Sequence, residues 1–331
     1  MPSEKAAPAD RRRVGFGTGH GHHGEIVQGV FDVTSELSAH GLLTLPCPLF
    51  SSRVQFTPNS SGKITAFGAT RTRGSPHAKT ITAAELTCSF IGSADSGGDL
   101  RVDTNIPKGK GCGSSTADVV GAIRAVADSA RVELSDTEIG RIAVQAEMAS
   151  DSVMFDLPVL FAQTRGVTID RYDNHLPAFS VIGFDSAPGS TIDTLDMERP
   201  VHDQEDLSTF ALLRSGLRRA IHAGDAGLLG KVASASTRIA LKHKPNSRIQ
   251  DVMAAAEHWG CLGVQVAHSG TIAGIMIANG GKNGSADDHV RLTAEKVRSM
   301  VDGPVWTFDV QPQRQSHSRR LRRRIGAASP G

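Results

Sequence analysis

Asn105-Ile106-Pro107-Lys108-Gly109-Lys110-Gly111-Cys112-Gly113-Ser114-Ser115-Thr116-Ala117 sets three glycines at alternate positions, then two serines and a threonine. Directly after it, Val119, Val120, Ile123, Val126 and Ala127 recur at helical spacing, which predicts a helix over about 115–129. Glycine lets the backbone turn tightly and approach a ligand with no Cβ in the way. The first turn of a helix offers unpaired N–H groups and the positive end of its dipole, so an anion such as phosphate suits it. The candidate phosphate-binding stretch is therefore the run Pro107, Lys108, Gly109, Lys110, Gly111, Cys112, Gly113, Ser114, Ser115 and Thr116. Lys108 and Lys110 add positive charge. The plain alternative is a flexible turn before a well-capped helix. A Walker loop is excluded, because Lys110 is followed by Gly111 where that loop needs Ser or Thr. A dinucleotide fingerprint needs its glycines straight after a strand, and Pro107 interrupts that approach.

Outward from this loop the chain reads as mixed α/β. Leu42–Leu45, Ser52–Thr57, Lys63–Phe67 and Leu100–Thr104 have strand character. Asp136–Ser150 reads as a helix with Ile139, Ile142, Ala143 and Ala146 on one face and Ser135 as N-cap. A second unit opens with a strand at Phe179–Phe184. Helical segments near 205–222, 225–240 and 247–258 follow, then strands at 262–267 and 271–278, a helix near 286–300 and a strand at 304–310. We place the boundary near residue 175, giving an N-terminal domain over 14–175 and a C-terminal domain over 176–312.

At 331 residues the chain exceeds the usual size of one core, so two domains is the default. Apolar residues at 39% and charged residues at 21% are ordinary for a globular protein. A net charge of +2 gives no general reason to expect a nucleic-acid partner. Cys47, Cys88, Cys112 and Cys261 are scattered with no C-x-x-C pair, which reads as free thiols in a reducing cytoplasm. Residues 1–13 carry charge but no apolar run of a signal sequence, and no stretch approaches the ~20 apolar residues of a membrane helix. Residues 1–13 and the arginine-rich 313–331 read as disordered tails, the latter a plain solubilising tail or one that touches nucleic acid or a membrane surface.

The loop is similar to the second motif of the GHMP small-molecule kinases, in which Pro-x-x-x-Gly-x-Gly-x-Ser-Ser-x-Ala wraps the ATP phosphates. Pro107, Gly111, Gly113, Ser114, Ser115 and Ala117 are the matching residues. Gly24-Glu25-Ile26-Val27-Gln28-Gly29, Pro46-Cys47-Pro48 and Gly263-Val264-Gln265-Val266-Ala267-His268-Ser269-Gly270 resemble segments of the cobalamin-pathway L-threonine kinases within that family. The resemblance implies a ribosomal-protein-S5-like N-terminal domain and a ferredoxin-like C-terminal domain, with ATP, Mg2+ and a small hydroxylated substrate between them. Charge and hydropathy give no reason to expect a nucleic-acid or membrane partner, and a homodimer is left open. Three readings stand: an L-threonine kinase, a kinase of the same fold for another hydroxy amino acid or a polyol, and a non-catalytic ATP-binding regulator.

Phosphoryl transfer to an alcohol needs neutralised phosphate charge, a placed hydroxyl and a proton acceptor. Glu147-Met148-Ala149-Ser150-Asp151-Ser152-Val153-Met154-Phe155 resembles the threonine kinases' Glu-Pro-Thr-Asp-Ser-x-x-Phe, with one residue more between Glu147 and Asp151. Asp151 is thus the expected catalytic base, its alternative role being to cap the next segment. Ser115 and Glu147 are the expected metal ligands. Glu25, Gln28, His268, Ser269 and Gly270 are the expected substrate contacts, since an amino acid needs acceptors for its ammonium and donors for its carboxylate. His20-Gly21-His22-His23 is open between a zinc site, a phosphate or substrate contact and a solvent-facing loop. Many GHMP kinases place Lys or Arg near this point; here a histidine is the available substitute.

Overall fold

Gly15, Gly17 and Gly19 leave one face of an extended strand without side chains, and a helix fills that face. A Cβ on these glycines would lie 2.1, 2.1 and 1.9 Å from the carbonyl oxygens of Ala125, Gly121 and Ala117. This contact between β1 (Gly15–Thr34) and α2 (Ser114–Ser129) organises the N-terminal half. The computed structural model describes residues 13–68, 77–93, 97–190, 200–279 and 285–311.

β1 pairs antiparallel with β2 (Leu37–Asn59), which pairs with β4 (Gly97–Thr104). β3 (Ile64–Gly68) lies parallel to β4 at the sheet edge. β5 (Val159–Ala162) branches from β2 and pairs with β6 (Val167–Arg171). Helices α1 (Ala78–Phe90), α2 and α3 (Asp136–Glu147) cover one side, where Val119, Val120, Ile123, Ile139, Ile142 and Met154 form a core. α3 opens on a capping box, with Ser135 accepting from the Glu138 backbone while the Glu138 carboxylate takes the Ser135 N–H. It ends at Glu147, short of the expected Ser150, because Met148 turns left-handed at φ 69°.

The boundary expected near residue 175 falls between β6 and β7 (Phe179–Asp185). β7 lies between β10 (Val305–Val310) and β9 (Ile272–Ala278), and β8 (Gly263–Val266) pairs with β9. α4 (Gln204–Ala223) and α5 (Ala226–His243) pack over β1 and β8 through Phe210, Leu213, Leu217, Leu229 and Val232. α6 (Ser247–His258) and α7 (Ser285–Met300) cover the opposite face, with Ile249, Val252 and Val297 against Ile182, Phe184, Val264 and Ile275. The sheet order is β10-β7-β9-β8-β1-β2-β4-β3, and a single pairing of Glu25 with Val266 joins the two halves. That junction sets the strand of Glu25 beside the turn between β8 and β9. Residues 1–12 and 312–331, which hold the two expected tails, lie outside the described residues.

Candidate active site

The loop enters α2 through three glycines with positive φ: Gly109 at 68°, Gly111 at 81° and Gly113 at 70°. Gly113 is the N-cap and supplies no side-chain cap, whereas α3, α4, α5 and α6 are capped by Ser135, Asp203, Asp225 and Asn246. The first helical bond runs from Ala117 N–H to Gly113 C=O. The N–H groups of the preceding turn are therefore left to a ligand, and a phosphate at a dipole's positive end is the group they suit.

Asp151 stands at the mouth of this turn. Its Oδ2 lies 2.9 Å from His22 Nε2 and accepts from Thr116 Oγ1 at 3.3 Å. A Cβ on Gly113 would fall 2.3 Å from the His22 ring and 3.2 Å from Asp151 Oδ2, so the N-cap glycine makes room for the pair. Gly24 N lies 3.2 Å from His22 Nδ1, so Nε2 holds the proton shared with Asp151 whether the ring is neutral or charged. Burial works against charge on His22, but Asp151 and Glu25 outweigh it and push its pKa up to about 9. Burial likewise raises the Asp151 carboxyl, yet His22 overcomes it and holds Asp151 below its usual range. Asp151 does not cap a helix; the residues after it form a turn.

Glu147 sits beside the loop despite the additional residue before Asp151. The left-handed turn at Met148 brings the chain round, and Ser115 Oγ donates to Glu147 Oε2 at 2.9 Å. Glu147 is 4% exposed and its Oε1 has no hydrogen-bond partner. Burial, then the Asp151 charge, push its pKa up to about 7. A buried carboxylate with an orphaned oxygen, bonded to the exposed Ser115 hydroxyl in the first turn of α2, is a donor set that fits Mg2+.

Glu25 is 2% exposed, and neither carboxylate oxygen has a hydrogen-bond partner. Its Oε1 lies 3.8 Å from His22 Nδ1, so the imidazole stands between two carboxylates. Burial pushes Glu25 up to about 7, opposed by His22 and reinforced by Asp151. Gln28 and His268 meet directly: His268 Nδ1 donates to Gln28 Oε1 at 2.9 Å. His268 Nε2 then accepts from Gln163 Nε2 at 3.3 Å, and the same amide lies 3.0 Å from His40 Nδ1. Burial lowers the His268 pKa, in keeping with this neutral form. Ser269 and Gly270 lie in the β8–β9 turn, against the loop: a Cβ on Gly111 would come 2.8 Å from Ser269 C=O.

Two expectations change. The histidine run is neither a solvent-facing loop nor a shared metal site, because it lies within β1, where bulges send its members different ways. His22 (3% exposed) meets Asp151, His23 (0%) packs against Trp306 and Phe308, and His20 is exposed. The Lys110 ammonium meets Asp185 Oδ2 at 2.7 Å instead of projecting into the loop, so what Lys110 offers a phosphate is its backbone. Gln163, His40 and Asp185 carried no sequence signal, since only the folded topology brings them to the loop and turn. His22 carried only the signal of the histidine run as a whole, which does not single it out from His20 or His23.

Residues 78–162 match the family model of the GHMP kinases N terminal domain. The crystal structure of L. major mevalonate kinase in complex with R-mevalonate superposes with TM-score 0.61 at 14% identity, over 92% of this chain and 98% of that one. Homoserine kinase from Cytophaga hutchinsonii gives 0.61 at 14% identity, over 94% and 98%. The chain has the GHMP-kinase fold. Mevalonate pyrophosphate decarboxylase from Streptococcus pyogenes also superposes, at 0.63 and 10% identity over 93% and 100%, so the GHMP fold does not by itself choose the reaction. Among characterised relatives, L-threonine kinase of Citrobacter freundii is 28% identical over 199 residues, 54% of this chain and 62% of the relative. L-threonine kinase of Salmonella typhimurium is 26% identical over 184 residues, 54% and 60%. The chain thus spans about three fifths of the length of these relatives.

Proposed function

We propose that this chain is an ATP-dependent kinase that transfers the γ-phosphate to the hydroxyl of L-threonine, giving O-phospho-L-threonine and ADP. The observation that carries the reading is Asp151, held ionised by His22 at the uncapped start of α2. The N–H groups of Ser114 to Thr116 bind the transferred phosphoryl group's oxygens, and the helix dipole favours their charge. Ser115 and Glu147 are the residues to hold Mg2+, whose charge would offset that of the phosphates. Asp151 Oδ2 is taken by His22 and Thr116, which leaves Oδ1 to accept the substrate hydroxyl's proton. In this reading His268, which Gln28 fixes by a hydrogen bond, and Ser269 contact the amino acid.

The two threonine-kinase relatives favour threonine, and the fold shared with a homoserine kinase supports a second reading, another hydroxy amino acid or a polyol. An intact base beside the loop speaks against a regulator that binds ATP without turnover. Among the described residues no helix is long and apolar enough to cross a membrane, and Cys47, Cys88 and Cys112 are buried free thiols, in keeping with a cytoplasmic enzyme. A coupled ADP-release assay over threonine, serine, homoserine, mevalonate and simple polyols tests the proposal. Turnover restricted to threonine is expected. Turnover only on another alcohol moves the assignment to that substrate, and none on any removes it.

A further inference from the structure

Lys110 carries the one ammonium inside the glycine run, and its three donors are already used. Nζ meets Asp185 Oδ2 at 2.7 Å and donates to Ser190 C=O at 2.8 Å and Ala187 C=O at 3.3 Å. A lysine has three N–H donors, so nothing remains for a phosphate without breaking this set. Asp185 is 4% exposed at the end of β7, and its other oxygen accepts from Ala187 N–H at 3.1 Å. If Lys110 swung toward a nucleotide, a buried carboxylate would lose its counter-charge.

The backbone repeats the attachment. Lys110 C=O accepts from Thr271 N–H at 3.1 Å and Ile272 N–H at 3.3 Å. A Cβ on Gly270 would fall 2.2 Å from that carbonyl, and one on Gly111 2.6 Å from Ala267 Cβ. Asp185 in turn pairs with Ile272 across β7 and β9. The phosphate loop, the end of β7 and the turn carrying His268 are thus joined through one residue.

We infer that Lys110 is a positioning residue, clamped by Asp185, that holds the phosphate loop and the His268 turn in one body and so couples nucleotide binding to substrate binding. The inference rests on the kinase reading above. It deepens that reading by giving this lysine a role other than phosphate contact. Its loss frees the loop, and with it the turn bonded to the Lys110 carbonyl, from the end of β7, which weakens both ligands together.

The test compares Lys110→Met, Asp185→Asn and the double variant in the full chain. Asp185→Asn is nearly isosteric and keeps an acceptor for Ala187 N–H, and melting curves check that each variant folds. The readouts are steady-state kcat and both KM values, with calorimetric titration of a non-hydrolysable ATP analogue. Each single change is expected to raise both KM values by about 10-fold with a smaller fall in kcat, as for a small misplacement of binding groups. The double variant is expected to be no worse than the worse single, because both remove one interaction. Weaker analogue binding in Lys110→Met but unchanged or tighter binding in Asp185→Asn would make Lys110 a phosphate ligand and overturn the clamp. Unchanged constants in both would overturn it too. Should the wild type phosphorylate nothing, the function above falls, while the analogue titration still judges the clamp.

Discussion

His22 and Asp151 are 129 positions apart in sequence and 2.9 Å apart in space, and in the proposed mechanism that pairing sets the pH range of the chemistry. Because His22 depresses the Asp151 pKa, the base stays ionised well into acid. His22→Gln removes that charge, so the acidic limb of the kcat profile should move to higher pH; an unmoved limb would deny His22 this role. Asp151→Asn should cut kcat by about 10²-fold or more while leaving analogue binding near the wild-type level. Ser115→Ala and Glu147→Gln should instead raise the Mg2+ concentration needed for half-maximal rate, measured by metal titration at fixed ATP. Ser115, Glu147 and Asp151 each stand in a short segment with its own pattern, and the fold brings all three to the start of α2. The Asp151 partner was not legible, since a run of three histidines does not say which one a distant carboxylate will meet.

At the scale of elements, the segments with a regular apolar period or a capping signal were legible. α2 and the whole β7 to β10 succession fall where the pattern puts them, and α3 opens at its Ser135 cap but stops short of Ser150. β1 did not announce itself, because glycines and histidines at 15–24 resemble a loop. Their alternation is in fact the mark of a strand lying against a helix backbone. α1 was also silent. Thr80, Thr82 and Thr87 dilute its helical preference, and two of these hydroxyls bond back to Ala78 and Ala83 carbonyls. The β1–α2 contact gives a stability prediction: Gly17→Ala, whose Cβ would lie 2.1 Å from Gly121 C=O, should cost on the order of 3 kcal/mol. Gly62→Ala, in open space at φ +66°, should cost only the backbone strain, about 1–2 kcal/mol. Chemical denaturation of both variants checks the contrast, and equal losses would contradict the packing described.

For the whole molecule, the site's burial ties folding to pH. His22 is raised from 6.5 to about 9, so its stabilisation is complete below about 6.5 and is lost as pH rises through 9. Glu25, an acid raised from 4.5 to about 7, likewise contributes most when protonated and loses that contribution as pH climbs. The urea midpoint should therefore fall between pH 6.5 and 9 in the wild type and fall less in His22→Gln. Parallel curves would contradict the placement of His22. The two-half arrangement was readable from chain length and element order. The single Glu25–Val266 pairing that joins the halves was not, because a lone bridge between distant strands leaves no local trace. Phosphorus NMR of the full chain with Mg2+, ATP and L-threonine puts the central claim to the most direct trial. A phosphate-ester resonance of threonine should grow in step with ADP in the wild type and be nearly absent in Asp151→Asn. ATP breakdown to free phosphate with no ester, or equal ester formation by both proteins, would contradict the account.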